Sequence, residues 1–178
     1  LNGETFFGSQ DAFLIKYNPD GKTLWTKLIG SSLGDKANAV KVNLSGHVFV
    51  AGSTDGSLDG KTNKGRTDIF VAKFDSEGNK KWIRQYGSTE EDTAIGIDTD
   101  PPGNVYVTGN TRGDLDGNKN LSNGDVFVSK FNTDGVKQWT TMIGTRNDDD
   151  AGGIAIHSSG DIYVTGFTGG ELDGNSTL

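Results

Sequence analysis

The sequence of 178 residues has no cysteine and is poor in proline, methionine and histidine. Without cysteine, the chain forms no disulfide and offers no thiolate to a metal or a substrate. Its two histidines, His47 and His157, lack the spacing of a metal site, so we expect no histidine-based zinc centre. No apolar run approaches the roughly 18 residues that cross a bilayer, which predicts no membrane span.

Positive charge is also scarce in this chain. There are 17 lysines and arginines against 24 aspartates and glutamates, which gives a net charge of −7. A surface with this balance repels a phosphate backbone, so nucleic acid is not an expected partner, whereas cations are compatible with it.

Glycine is what the chain has in excess. It contributes 27 residues, while hydrophobic residues make up only 32%. This composition suits many short strands joined by glycine turns better than it suits helices. The predicted fold class is therefore all-β.

A repeat of 57 residues organises the whole sequence. The three tryptophans, Trp25, Trp82 and Trp139, are spaced by 57 residues, and glycines and aspartates recur with the same step. The repeats predicted from this period, with a short segment that begins a fourth, are 1–57, 58–114, 115–171 and 172–178.

Each repeat carries the pattern of two β-hairpins. Residues 125–143 contain "DVFVSKF" and "VKQWTTMI" around the turn "NTDG", and a second hairpin follows around "SSG". Several strands are apolar on both faces, which indicates sheets covered on both sides. Four-stranded antiparallel sheets stacked face to face describe the blades of a β-propeller, with a long loop such as 55–67 expected between blades.

Three blades are too few for a ring, because closed propellers typically have four to eight. We therefore expect an incomplete propeller, or part of a larger or oligomeric ring. The ends of such an arc expose apolar sheet faces, so self-association of blades is expected.

The recurring residues resemble the SBBP-type β-propeller repeat of bacterial proteins. The pattern D-x-F-x-x-K, G-x-x-x-W, G, D-x-A and G-x-V-Y-V-x-G-x-T covers nearly the whole chain. In the second repeat it is carried by Asp68, Phe70, Lys73, Gly78, Trp82, Gly87, Asp92, Ala94, Gly103, Tyr106, Val107, Gly109 and Thr111. The resemblance implies a large extracellular or cell-surface protein that acts as a structural or binding scaffold, and it brings no catalytic residues.

Residues that recur in every repeat are best explained by the needs of every blade. Asp92 and its two counterparts are expected to accept backbone N–H groups at a strand entry. Asp68 and Lys73, five residues apart, predict a charge pair, with a position in the central channel as the alternative. The tryptophans are expected to pack between blades, and a carbohydrate platform is their alternative.

One loop has the composition of a calcium site. Four oxygen-bearing side chains alternate along it and an aspartate follows: Asp114, Asp116, Asn118, Asn120 and Asp125. Hard cations prefer such ligands, although glycine falls at the fourth position and so departs from the EF-hand pattern. The competing interpretation is an Asx-type turn that uses Asp, Asn and Gly for its own backbone. Calcium is the one cofactor that this sequence suggests.

Acidic residues also cluster in one loop of two successive repeats. Residues 90–92 and 147–150 occupy equivalent positions, so they are expected to lie on one rim and to concentrate negative potential there.

The sequence thus predicts a non-enzymatic scaffold with protein or glycan partners. A calcium- or glycan-binding adhesion module that uses the Asp/Asn-rich interblade loops is the first alternative. A fragment of a carbohydrate-active enzyme is the second, because carboxylates are abundant although no nucleophile elbow or phosphate loop is present.

Overall fold

The structure, a computed structural model, describes residues 5–121 and 123–172. The start of the first repeat at Leu1 and nearly all of the predicted fourth repeat, 172–178, lie outside the described residues. The described part contains twelve strands and no helix, which confirms the all-β prediction. The strands are β1 (Ala12–Tyr17), β2 (Thr23–Ile29), β3 (Asp35–Val42), β4 (Val48–Thr54), β5 (Asp68–Phe74), β6 (Lys80–Tyr86), β7 (Asp92–Thr99), β8 (Val105–Thr111), β9 (Asp125–Phe131), β10 (Lys137–Ile143), β11 (Asp149–Ile156) and β12 (Ile162–Thr168).

The strands form four antiparallel sheets. Strands β3 to β6 make one four-stranded sheet, β7 to β10 make a second, and β1–β2 and β11–β12 are two-stranded. Every repeat supplies four strands, and each complete sheet joins the second hairpin of one repeat to the first hairpin of the next. The four sheets of residues 5–121 and 123–172 do not close into a ring, which confirms an incomplete propeller.

The long loops connect strands within one sheet. Strands β4 and β5 pair along their whole length, from Val48 opposite Phe74 to Thr54 opposite Asp68. The loop 55–67 therefore joins two neighbouring strands of one blade, and the expectation that it is an interblade loop is wrong. Sheets are instead connected by short segments such as 87–91.

The strands nearest the centre of the arc are β3, β7 and β11, since β7 packs against both of the others. Each of these strands has a β-bulge, which in β7 lies between Ala94 and Gly96. The bulge faces Gly109 on β8, and a Cβ placed on Gly109 would come within 2.0 Å of the Thr93 carbonyl oxygen. Small residues thus let the strands of the centre approach closely.

The core consists of two apolar layers, one on each face of the β3–β6 sheet. Phe70 and Phe74 of β5 pack toward the β1–β2 hairpin. Phe49 and Ile69 of the same sheet pack toward the β7–β10 sheet. Burial on both faces explains why these strands do not alternate between apolar and polar residues. In the described part of the chain, no helix is long and apolar enough to span a bilayer.

Candidate functional site

A buried carboxylate stands at the start of each central strand. Asp92 accepts hydrogen bonds from the Ser88 backbone N–H at 2.6 Å and from the Ser88 hydroxyl at 2.9 Å. Thr111 donates to the other carboxylate oxygen. Burial raises the pKa of Asp92. Asp35 and Asp149 repeat the contacts with the residue four positions earlier, which confirms the strand-entry role predicted for these aspartates.

The aspartates that begin β5 and β9 also hold loops. Asp68 accepts hydrogen bonds from the Lys64 N–H at 3.1 Å and from the Gln85 side-chain amide at 3.0 Å. The charge pair expected with Lys73 is wrong, because the Lys73 ammonium donates to the Thr133 carbonyl of the next sheet, at 3.1 Å. The lysine thus joins neighbouring blades through a backbone carbonyl.

Trp25 and Trp82 pack between sheets, as predicted from the sequence, whereas Trp139 is 38% exposed and contacts Tyr106 of its own sheet. The ring of Trp82 lies 6.1 Å from that of Phe49, and its indole N–H donates to the Thr133 carbonyl at 3.3 Å. A Cβ on Gly135 would be 2.8 Å from the Trp82 ring, so the turn of the next sheet rests directly on the indole.

The first two residues of the suggested calcium site bind lysines. Asp114 pairs with Lys119 and accepts the Asn120 N–H at 3.0 Å. Asp116 pairs with Lys137 and accepts the Thr140 hydroxyl at 2.6 Å.

The remaining residues of that suggested site face different groups. Asn118 donates to the Thr140 carbonyl at 3.1 Å, and Asn120 donates to the Thr111 carbonyl at 2.9 Å. Asp125 is buried at the start of β9 and accepts the N–H of Leu121. Within residues 5–121 and 123–172, no three His, Cys, Asp or Glu side chains cluster as a metal site would require. Calcium binding by this loop stays a prediction.

Two acidic clusters meet in a groove, which we call the acidic groove. It has a volume of about 620 Å³ and is lined by residues that include Glu90, Glu91, Asp148, Asp150 and Arg112. This confirms that residues 90–92 and 147–150 share one rim. Arg112 donates to Glu91 at 2.7 Å, and Arg66 lies 4.0 Å from Glu90 and 3.8 Å from Glu91, so two guanidinium groups face four carboxylates.

The sequence did not indicate Asn110 as part of this groove. The side chain of Asn110 donates from Nδ2 to Asp150 at 2.6 Å and accepts the Ala151 backbone N–H at Oδ1 at 2.8 Å. It is 40 residues from Asp150, so only the packing of β8 against β11 brings the two together. No local sequence signal identifies such a contact.

The acidic groove occurs once in the described structure. The corresponding groove one repeat earlier is lined by residues that include Lys36, Asp55, Glu91 and Thr93, and its volume is about 160 Å³. By the 57-residue step, the positions of Glu90, Glu91 and Asp150 hold Leu33, Gly34 and Thr93 there. The charge of the acidic groove is therefore not required to build a blade.

Comparison with known proteins agrees with the fold. The family described as SBBP beta-propeller repeat matches residues 81–116 and 138–173. The regulatory protein FlaEY of Caulobacter vibrioides is 31% identical over 97% of this chain, which corresponds to 20% of FlaEY. An uncharacterized WD repeat-containing protein of Acanthamoeba polyphaga mimivirus is 26% identical over 79% of this chain and 12% of its own length. This chain thus spans about a fifth or less of these relatives.

A solved structure shares the fold at low sequence identity. The crystal structure of a protein of unknown function from Bacteroides caccae aligns with a TM-score of 0.55 and 13% identity. The alignment covers 96% of this chain and 57% of that protein.

Proposed function

We propose that this chain, which contains SBBP β-propeller repeats, is a non-enzymatic scaffold that acts outside the cell or at the cell surface. The proposal rests on one observation: the polar residues that recur between repeats make structural contacts within and between the blades. Asp92 holds a strand entry, and Lys73 and Trp82 hold the turn of the next sheet. Lys16 and Trp25 of the first repeat likewise hold the turn at Ser76. The recurring chemistry builds and joins blades.

The exposed carboxylates that converge in the acidic groove give little support to the enzyme alternative. In the acidic groove, Glu91 is neutralised by Arg112, and Asp150 accepts a hydrogen bond from Asn110. A glycosidase needs one carboxyl group kept protonated at neutral pH and a second one ionised. Glu91 and Asp150 instead accept hydrogen bonds from Arg112 and Asn110, and we therefore place no catalytic residue here.

A binding role is the second candidate, and the acidic groove is the observation that favours it. Its four carboxylates, two from each of two successive repeats, do not recur together in the corresponding groove one repeat earlier. Calcium, or a glycan bound through its hydroxyl groups, is the ligand class that such a surface suits. The loop of Asp114 and Asp116 is a competing calcium site, in which both carboxylates would have to release Lys119 and Lys137.

These roles can be tested by thermal unfolding of the full chain. The melting temperature is measured with and without calcium, and with a panel of soluble glycans. A ligand that binds only the folded state raises the melting temperature in a saturable way. The scaffold proposal expects no shift with any of these ligands. A saturable shift would replace it with the binding role.

Variants that remove carboxylates then identify the site at which any such ligand binds. The double variant Glu90→Gln, Asp148→Asn removes charge from the acidic groove, and Asp114→Asn, Asp116→Asn removes it from the calcium loop. Loss of the shift in one of them identifies the site. Glu77→Gln is the matched control, since this exposed glutamate lies in the β5–β6 turn. Fractionation of the producing cells tests location, and a purely cytoplasmic pool would contradict the extracellular proposal.

A further inference from the structure

An open cavity lies between the β1–β2 hairpin and the β3–β6 sheet, on the side away from the central strands. We call it the outer cavity, and its volume is about 520 Å³. Strands β2, β5 and β6 and two loops supply its apolar lining, which consists of Phe7, Leu28, Ile29, Leu58, Phe74 and Ile83. Small-molecule sites commonly have this size and a mainly apolar lining.

The polar groups of the outer cavity lie on its solvent side. Lys80 and Asp59 both line it and pair with each other at 2.7 Å, and their side chains are 47% and 44% exposed. In contrast, Ile29, Phe74 and Ile83 are buried. The cavity thus has an apolar interior and a charged rim.

The interface one repeat further along shows what occupies this position elsewhere in the molecule. By the 57-residue step, Ile29 corresponds to Tyr86, which is buried between the β3–β6 and β7–β10 sheets. The centre of the Tyr86 ring lies 5.5 Å from that of Phe131 and 4.4 Å from the Lys137 ammonium. At that interface an aromatic ring therefore packs between a phenylalanine and a lysine.

The outer cavity retains the groups that hold the tyrosine ring. Phe74 and Lys80 line it, and by the same step they correspond to Phe131 and Lys137. Each of the two lysines pairs with an aspartate from the preceding loop. The ring is the part that differs, because isoleucine is smaller than tyrosine and has no aromatic face.

The walls of the outer cavity are also more apolar than those around Tyr86. Three of its lining residues, Phe7, Leu28 and Ile83, correspond to Lys64, Gln85 and Thr140. Polar groups placed against such walls would lose their hydrogen bonds to water, so a mainly apolar ligand is favoured.

Both walls of the outer cavity belong to sheets within the described residues. The rings and the cation that contact Tyr86, those of Phe127, Phe131 and Lys137, come from the sheet that follows it along the chain. For Ile29 the corresponding sheet is β3–β6, which is complete. The cavity therefore does not depend on what precedes β1 or follows β12.

We propose that the outer cavity binds a small aromatic molecule, whose ring packs on Phe74 beneath the Lys80 ammonium as the Tyr86 ring packs one repeat further along. Burial of apolar surface supplies most of the affinity, and attraction between the ammonium and the ring face selects an aromatic ring over a saturated one. This site goes beyond the scaffold role and uses no carboxylate as a ligand. It holds or fails independently of calcium and glycan binding.

The probe that tests this site is p-cresol, which is the side chain of tyrosine as a free molecule. Isothermal titration calorimetry of the full chain should show saturable binding of one p-cresol per chain. The saturated analogue 4-methylcyclohexanol has a similar size and should bind roughly two- to fivefold more weakly, the factor expected of one exposed cation–π contact. No saturable binding of p-cresol, or equal affinity for the two compounds, would overturn the proposal.

Variants of Ile29 show whether p-cresol binds in the outer cavity. Ile29→Tyr supplies the ring from the chain itself, so it should abolish p-cresol binding without lowering the melting temperature. Ile29→Val is the matched control, because it keeps the cavity open and should bind p-cresol as the wild type does. Unchanged binding to Ile29→Tyr would place p-cresol elsewhere and contradict the proposed site.

A variant of Lys80 separates the cation from the packing. Lys80→Met keeps an unbranched apolar side chain and removes the ammonium. We expect the affinity for p-cresol to fall roughly two- to fivefold and the affinity for 4-methylcyclohexanol to stay the same. An equal loss for both compounds would refute the contact between the ammonium and the ring.

A readout on the wild type does not depend on whether any variant folds. In a methyl NMR titration with p-cresol, the resonances of Ile29, Leu58 and Ile83 should shift, since their side chains line the cavity. Ile154 of β11 is the internal control and should not shift. Shifts that leave the three lining residues unaffected would overturn the proposal.

Discussion

At the scale of single residues, Asp98 connects three sheets. Its carboxylate accepts the Lys41 ammonium of β3 at 2.7 Å and the Ile156 backbone N–H of β11 at 2.8 Å. Asp98→Asn replaces one acceptor oxygen by a donor, so either the Lys41 ammonium or the part-buried Ile156 N–H loses its acceptor. We predict a loss of about 1–3 kcal/mol in the free energy of unfolding at neutral pH, measured by urea denaturation. Asp20→Asn, in an exposed turn, should change little, and equal losses in the two variants would contradict the role of Asp98.

The pH dependence of stability should report the same carboxylate. Burial alone would raise the pKa of Asp98, but the hydrogen bonds from Lys41 and from the Ile156 and Thr99 backbone outweigh it and lower the pKa. The contribution of Asp98 is therefore present above the unfolded pKa, about 3.9, and is lost as pH falls through the lower folded pKa. We predict that wild type and Asp98→Asn differ at pH 7 and converge in acid. Urea curves from pH 7 to 3 measure this, and a constant difference would refute it.

At the scale of the strand, the bulge opposite Gly109 sets how closely β7 and β8 approach. A methyl group there would meet the Thr93 carbonyl oxygen at 2.0 Å, a backbone atom that cannot rotate away. We predict that Gly109→Ala lowers the free energy of unfolding by more than about 2 kcal/mol through this overlap. Gly153→Ala is the control, since its nearest atom, the Thr165 hydroxyl, is 3.7 Å away. Similar stability of the two variants would show that the bulge adapts.

The strands and their hairpins could be predicted from the sequence, but the way they combine into sheets could not. A period of 57 residues, fixed by Trp25, Trp82 and Trp139, is unchanged when the boundary moves by half a repeat. The repeat period therefore does not show whether β4 and β5 belong to one sheet or to two. The loop 55–67 was misassigned for this reason.

The same limit applied to the candidate sites. Local spacing placed Glu90 and Asp148 on one rim, because equivalent loops of successive repeats must be neighbours. It could not find the contact of Asn110 with Asp150, which depends on packing between sheets. Nor could it find that Lys73 binds a carbonyl 60 residues away, since a nearby aspartate offered a simpler partner.

At the scale of the whole molecule, the arc is a row of sheets in which each sheet stabilises the next. Such a structure gains its stability from nearest-neighbour contacts, so the same residue contributes differently at the centre and at an end. The tryptophans allow this to be measured, because they differ in position and little else. Trp82 is 8% exposed beneath the turn of the following sheet, whereas Trp139 is 38% exposed.

We predict that Trp82→Ala lowers the free energy of unfolding by about 3–5 kcal/mol, the usual cost of truncating a buried tryptophan. Trp139→Ala should cost less than half as much, because within the described residues no turn covers its indole, which is 38% exposed. Urea denaturation of both variants measures the two losses. Equal losses would contradict this dependence on position in the arc.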